Sequence, residues 1–269
     1  MSANNSYKKN TKKLSFYNSG AFYDAYESGR ILRFKNNLED LDLDFWQECA
    51  RKYGPSILEI GCGSGRISST LSSLGFEVTG IDLSESMLSI AREKYPSVTW
   101  LHGNMQDFEI DKKFDMIFIA YNAFLHNLDN QAAIRSLNAI KAALKSNGKL
   151  IIEILNPSYE ILHDLMTHAE RTVCSIFRDP SSQELVVASR EIFYQSDSQI
   201  ITMQEYFNLM ESDQEYSEPL NFKLYFPQEM DLILQTTGYE VEHKYGDFQG
   251  GKFSSNSKKQ IMICYLKEV

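Results

Sequence analysis

The 269-residue chain is sparing with three residue types: it has four cysteines, six prolines and two tryptophans. Cys49, Cys62, Cys174 and Cys264 form no C-x-x-C pair and no metal-ligand spacing, which argues against a disulfide framework and against a metal site. They read as reduced, mostly core thiols, and a cytoplasmic protein is expected. No apolar run approaches the roughly twenty residues of a membrane span, so no membrane partner is expected. The first thirteen residues lack the apolar stretch of a secretory signal and read as a disordered tail, 1–13. That tail holds Lys8, Lys9, Lys12 and Lys13 and no acid; the net charge is −9 for the whole chain and −13 without the tail. An acidic body repels phosphates, which argues against a nucleic-acid partner. The remaining composition, 43% hydrophobic and 23% charged, is that of an ordinary globular protein long enough to bury a full core.

The most informative stretch runs from Ser56 to Arg66. An apolar run, Ser56 to Ile60, reads as a short buried strand and stops at Gly61, Gly63 and Gly65. Glycines permit a tight turn and let a ligand lie against the backbone. The helix expected from Ile67 to Leu74 would aim its free N–H groups at that ligand. The dinucleotide fingerprint needs glycine at the sixth position, where Arg66 stands, so a nicotinamide oxidoreductase is the least favoured reading. A second strand, Glu77 to Asp82, ends in a carboxylate suited to gripping two ribose hydroxyls, and Ser84 caps the helix that follows.

The array E-x-G-x-G-x-G from Glu59, followed by V-x-G-I-D-L-S-x-x-M-L from Val78, resembles the class I S-adenosylmethionine-dependent methyltransferases. The resemblance covers roughly 55–155 and 227–267. It implies S-adenosylmethionine as cofactor and S-adenosylhomocysteine as product. Glu59, Gly61 and Gly63 would then lie at the amino-acid part of the cofactor, Asp82 on the ribose, and Leu83 and Met87 against the adenine. After the third strand, relatives often carry Gly-Asp-Met; here the acid is replaced by Asn104, with Met105 beside it and Asp107 as the other candidate. In the family a tyrosine of the N-terminal helix meets the methionine carboxylate. Tyr17, Tyr23 and Tyr26 are the candidates, with Arg30 as a further partner for that carboxylate.

Strand and helix alternate from residue 56 to 155, which implies a parallel sheet with helices on both faces. After Pro157 come segments rich in β-branched and aromatic residues, Thr172–Phe177, Glu184–Tyr194, Gln199–Met210 and Asn221–Phe226. Turn-like stretches separate them, and they read as an antiparallel meander. A helix from Pro227 and two strands, Tyr239–Tyr245 and Gln260–Leu266, close the chain. The expected fold is α/β: a Rossmann-like, doubly wound, seven-stranded and mostly parallel sheet with a C-terminal antiparallel hairpin, plus an inserted β meander. The expected division is an N-terminal helical lid at 14–54, a cofactor-binding core at 55–155 and 227–269, and an insert at 156–226 covering the substrate site.

Methyl transfer from a sulfonium needs alignment and exclusion of water more than acid–base help. The loop after the fourth strand, Ala120 to His126, should face the transferred group. It lacks the Pro-Pro motif of DNA amine methyltransferases and the Pro-Cys nucleophile of RNA C5 enzymes. His126 is the candidate base, Tyr121 a candidate catalytic partner, and Asn122 a candidate substrate contact. Tyr194, Tyr206 and Tyr225 of the insert and Asp247 near the final hairpin are further substrate-binding candidates, since aromatic groups and carboxylates suit amines. The expected activity is methyl transfer to N or O of a small molecule, with a homodimer through the insert as a further expectation. The alternatives are a peptide or protein methyltransferase, a non-methylating enzyme that uses the same cofactor, and a binding module that senses it.

Overall fold

The structure, a computed structural model, describes residues 19–30, 39–167 and 170–267. The expected tail at 1–13 and Tyr17 lie outside these residues. Two helices, α1 (Gly20–Ser28) and α2 (Glu39–Tyr53), precede the first strand. Then come β1 (Ser56–Ile60), α3 (Arg66–Ser73), β2 (Glu77–Asp82), α4 (Glu85–Lys94), β3 (Thr99–His102) and β4 (Phe114–Ile119). A single 3-10 turn at Ala123–His126 leads to α5 (Asn130–Ala143) and β5 (Leu144–Leu155). All five residues of β1 are buried, as are five of six in β4, because parallel strands covered by helices on both faces meet no water.

The strand order in the large sheet is β10-β11-β5-β4-β1-β2-β3, where β10 is Tyr239–Tyr245 and β11 is Lys259–Leu266. Strand β11 runs antiparallel to both its neighbours, and the other pairings are parallel. Strand β1 thus pairs with β2 on one side and β4 on the other. The chain direction across the sheet reverses there, which opens a crevice at the carboxyl ends of these strands. Side chains close the helix ends on that rim. Asp129 accepts from Ala132 N at 2.7 Å to start α5, and Ser84 accepts from Met87 N at 3.4 Å to start α4.

Helix α6 (Tyr159–Thr167) leads into a four-stranded antiparallel sheet: β6 (Thr172–Arg178), β7 (Leu185–Gln195), β8 (Ile200–Leu209) and β9 (Gln214–Lys223). The last strand departs from the expected Asn221–Phe226. It begins seven residues earlier, through the polar run Gln214 to Pro219. Pro219 is admitted because β9 is an edge strand, where a missing N–H breaks no ladder bond. Helix α7 (Pro227–Thr236) returns the chain to the large sheet. Among the described residues no helix is long and apolar enough to cross a membrane.

Candidate active site

A cavity of about 1710 Å³ opens at the carboxyl ends of β1, β2 and β4. Its floor is the glycine turn. Gly61 and Gly63 have φ of +74° and +55°, conformations that an L side chain adopts at a cost. A Cβ on Gly61 would meet the Cβ of Ala123 at 2.6 Å, whereas one on Gly63 would meet nothing within 4 Å. The turn is tied to β2: Asp82 accepts from Gly63 N through Oδ2 and from Ser84 N through Oδ1, both at 2.8 Å. These two bonds leave carboxylate lone pairs facing the cavity that Asp82 lines.

Glu59 lines the cavity too, yet its Oε2 already accepts from Ser68 N at 3.0 Å and Ser68 Oγ at 2.5 Å. It therefore clamps the turn to the first helical turn behind it. Burial outweighs those two donors and pushes its carboxyl up to about 8. Leu83, Met87, Asn104 and Met105 line the neighbouring wall. Asn104 Oδ1 accepts from Gln106 N at 3.0 Å, which fixes the loop after β3. Asp107, the other candidate there, is exposed and outside the lining.

At the β4 end stand Tyr121 and His126. Tyr121 and Asn122 both have positive φ, +53° and +64°, two non-glycine residues in succession in the left-handed region. Such strain persists only where the surroundings over-determine it. Here Tyr121 N donates to the buried Glu153 Oε2 at 2.5 Å, and Asn122 Oδ1 accepts from Leu155 N at 2.6 Å. Lys259 Nζ bonds the other Glu153 oxygen. Glu153 was not singled out from the sequence. Its signal was there: a lone acid inside the apolar run Leu150 to Leu155. The His126 ring lies 4.7 Å from that of Phe222 on β9, and partial desolvation by the surrounding protein lowers the pKa of this still solvent-accessible side chain from the ordinary 6.5.

The roof is α1. Tyr23, Glu27 and Arg30 line the cavity. Arg30 Nη1 donates to Glu27 Oε2 at 3.0 Å and to the Tyr121 hydroxyl at 3.2 Å, while its buried Nε makes no hydrogen bond.

Several expectations are corrected. Tyr26 does not line the cavity; it points the other way, into the four-stranded sheet, at 2% exposure. Three residues apart on the helix, the two tyrosines lie on neighbouring faces, and Tyr23 borders the cavity while Tyr26 turns into the sheet. Asn122 spends its side chain on the β5 backbone and lies outside the lining. Tyr225 is fully buried, its hydroxyl donating to Asn127 O at 2.6 Å, so it braces the core. Tyr206 donates to Glu191 Oε2 at 2.6 Å, with the Arg171 guanidinium over its ring. Tyr194 sits on β7 away from the cavity. Asp247 accepts from Gln249 N and Gly251 N and shapes a turn. No residue of β6 to β9 lines the cavity; α1, and His126 where it packs on Phe222, stand between that sheet and the cavity instead.

A family profile described as a methyltransferase domain matches residues 57–148. The chain is 27% identical to a putative methyltransferase, YqeM of Bacillus subtilis, over 80% of its own length and 85% of that protein's. Three further curated relatives are matched over 56%, 52% and 45% of their own length. Among solved structures, the CcbJ methyltransferase from Streptomyces caelestis superposes with a TM-score of 0.74 at 19% identity, over 96% of this chain and all (100%) of that one. The sugar N-methyltransferase KedS8 from Streptoalloteichus superposes with a TM-score of 0.68 at 17% identity, over 89% and 94% of the two chains. The glycine turn, the carboxylate ending β2, the sheet order and the matched profile agree: residues 57–148 are a methyltransferase domain, set in the Rossmann-like fold of the S-adenosylmethionine-dependent methyltransferases.

Proposed function

We propose that the protein moves a methyl group from S-adenosylmethionine to an amine nitrogen, or else an oxygen, of a small molecule. The lining residues fit the cofactor's three chemical parts. Asp82 would accept from the ribose hydroxyls, with Leu83, Met87 and Met105 against the adenine and Asn104 at its edge. Gly63, with open space where a Cβ would stand, would lie beside the amino-acid part, and the Arg30 guanidinium on the cavity lining would pair with its carboxylate. Bound S-adenosylmethionine supplies a methyl already activated by the positive sulfur, so this chain's residues contribute alignment and exclusion of water.

The observation that carries the small-molecule reading is the pairing of cavity size with His126. At about 1710 Å³ the cavity exceeds the roughly 300–1,000 Å³ typical of one ligand, leaving room for a second molecule beside the cofactor. His126 lines that space, and its lowered pKa keeps the imidazole neutral at pH 7, ready to take one proton from the acceptor. KedS8, an N-methyltransferase of sugars by its name, supports nitrogen as the acceptor atom. A peptide gripped by strand addition gains no support, since none of the four-stranded sheet's residues reaches the cavity lining. The test is incubation with S-adenosylmethionine carrying an isotope-labelled methyl group and a fractionated extract of the protein's own cells, read by mass spectrometry. Label is expected in a small metabolite at nitrogen. Label found only in peptides overturns the reading.

A further inference from the structure

Helix α1 has two faces with different tasks. Phe22 and Tyr26, one turn apart, enter an apolar patch of the four-stranded sheet, where both rings meet Phe177 and Phe207 edge-on. Tyr23 and Glu27, one turn apart, face the cavity, and so does Arg30, two residues past the helix, where its backbone bridges to Ser175 of β6. The sheet also holds the helix by its backbone. Ser175 Oγ donates to Tyr26 O at 2.7 Å, and Ile176 N donates to Gly29 O at 3.0 Å. On the side of the large sheet, Gly20 packs on Ile90 of α4 and Asp24 pairs with a half-exposed Lys94 at 2.7 Å. A screened pair of that kind contributes little.

A buried charge pair lies inside the apolar patch. Arg190 of β7 and Glu205 of β8 stand opposite each other in register and pair at 2.7 Å, with side chains 12% and 1% exposed. The Tyr26 hydroxyl bridges them: it accepts from Arg190 Nη2 and donates to Glu205 Oε1 at 3.4 Å. The Cys174 thiol lies 3.6 Å from that hydroxyl. A buried ion pair adds little net stability, because desolvation offsets the attraction. What it adds is a penalty on every other arrangement. If α1 slides along the sheet, the hydroxyl leaves the pair and buried polar groups are left less well satisfied. Apolar contacts such as those of Phe22 discriminate much less between registers. One turn beyond Tyr26, Arg30 translates that register into the cavity through its bond to the Tyr121 hydroxyl.

We propose that Tyr26, Arg190 and Glu205 are positioning residues that pin the register of α1, so that Arg30 is held over the cavity and the four-stranded sheet sets how tightly the cofactor is retained. The proposal rests on the reading of this cavity as the S-adenosylmethionine site. The test is a double-mutant cycle of Tyr26→Phe and Arg30→Ala, read by calorimetric binding of S-adenosylhomocysteine and by amide hydrogen exchange. Tyr26→Phe keeps the ring and removes only the hydroxyl. It is expected to weaken binding about tenfold, in line with loss of a bond to a charged group. It is also expected to speed exchange across 20–28 while 185–209 stays protected. Arg30→Ala is expected to lose at least as much affinity, and the double variant no more than Arg30→Ala alone, because Tyr26 acts through Arg30. Glu205→Gln keeps the shape of the site and is expected to match Tyr26→Phe. Additive losses, wild-type behaviour of Tyr26→Phe, or faster exchange throughout the sheet in both Tyr26→Phe and Glu205→Gln overturn the pin. If the wild-type chain binds no S-adenosylhomocysteine, the cofactor reading fails by itself. The exchange of 20–28 in Tyr26→Phe then decides whether the pin exists: faster supports it and unchanged overturns it.

Discussion

At the residue scale the site rests on a few groups whose local bonds decide their roles. Asp82 is anchored by two backbone N–H donors and still faces the cavity, so its carboxylate is held ready to accept from a ligand there. Asp82→Ala is expected to weaken S-adenosylhomocysteine binding by about 1.5–3 kcal/mol, roughly tenfold to a hundredfold. Isothermal calorimetry checks this, and unchanged affinity would sink the proposed ribose contact. His126 carries the pH prediction. Its pKa is lowered by partial desolvation, so the neutral imidazole persists at pH 7 and is lost only as the pH falls through a value below 6.5. With saturating acceptor, kcat is expected to fall along an acidic limb centred below 6.5, and His126→Gln to remove that limb with a loss of about a hundredfold or more. An unchanged limb in the variant would assign the titration to the acceptor. The roles of Asp82 and His126 could be proposed from the sequence because Asp82 ends a strand and His126 lies in the loop after one. Tyr26 could not be placed that way. The sequence shows three tyrosines near one helix, and only the packing of α1 against a second sheet decides which ones turn toward the cavity.

At the element scale the turn between β1 and α3 does most to shape the floor. Its glycines are not equivalent. A methyl on Gly61 would collide with the Ala123 methyl at 2.6 Å, as well as straining a backbone at φ +74°. Gly61→Ala is therefore expected to push the β4 loop away from β1 and to destabilise the fold by about 1–3 kcal/mol. Gly63→Ala carries the backbone strain without the collision, at about 1–2 kcal/mol. Denaturant melts of the two variants measure the difference, and equal losses would mean that the contact with Ala123 has relaxed. Strands β1 and β2 were legible because runs ending at glycine or an acid admit few alternatives, and β4 because Met116 to Ala120 is wholly apolar. Strand β9 was misplaced because Glu215, Ser217, Glu218 and Pro219 look like a loop. An edge strand tolerates such residues, and nothing local announces where the edge lies. Glu153 shows the converse, a signal visible in the sequence whose meaning appears only when β5 lies beside the β4 loop and its carboxylate meets Tyr121 N.

At the scale of the whole molecule, two sheets share one helix. The seven-stranded sheet supplies the floor and walls of the cavity and α1 the roof, yet the hydrophobic face of α1 belongs to the four-stranded sheet. A ligand under that roof touches the large sheet directly and meets the small one through α1 and through His126, whose ring packs on Phe222. Binding only to the folded state at a hundred times the dissociation constant adds about 2.7 kcal/mol. For a domain of about 150–250 residues each kcal/mol raises Tm by about 2–4 °C, so saturating S-adenosylhomocysteine should raise it by about 5–10 °C. The informative part is which residues share the gain. If α1 couples the sheets, amide exchange slows in 185–209 as well as in 56–82, although no residue of the former segment lines the cavity. Slower exchange confined to the large sheet would mean that α1 moves independently of the sheet it packs on, and that cofactor binding and the small sheet are separate devices in one chain.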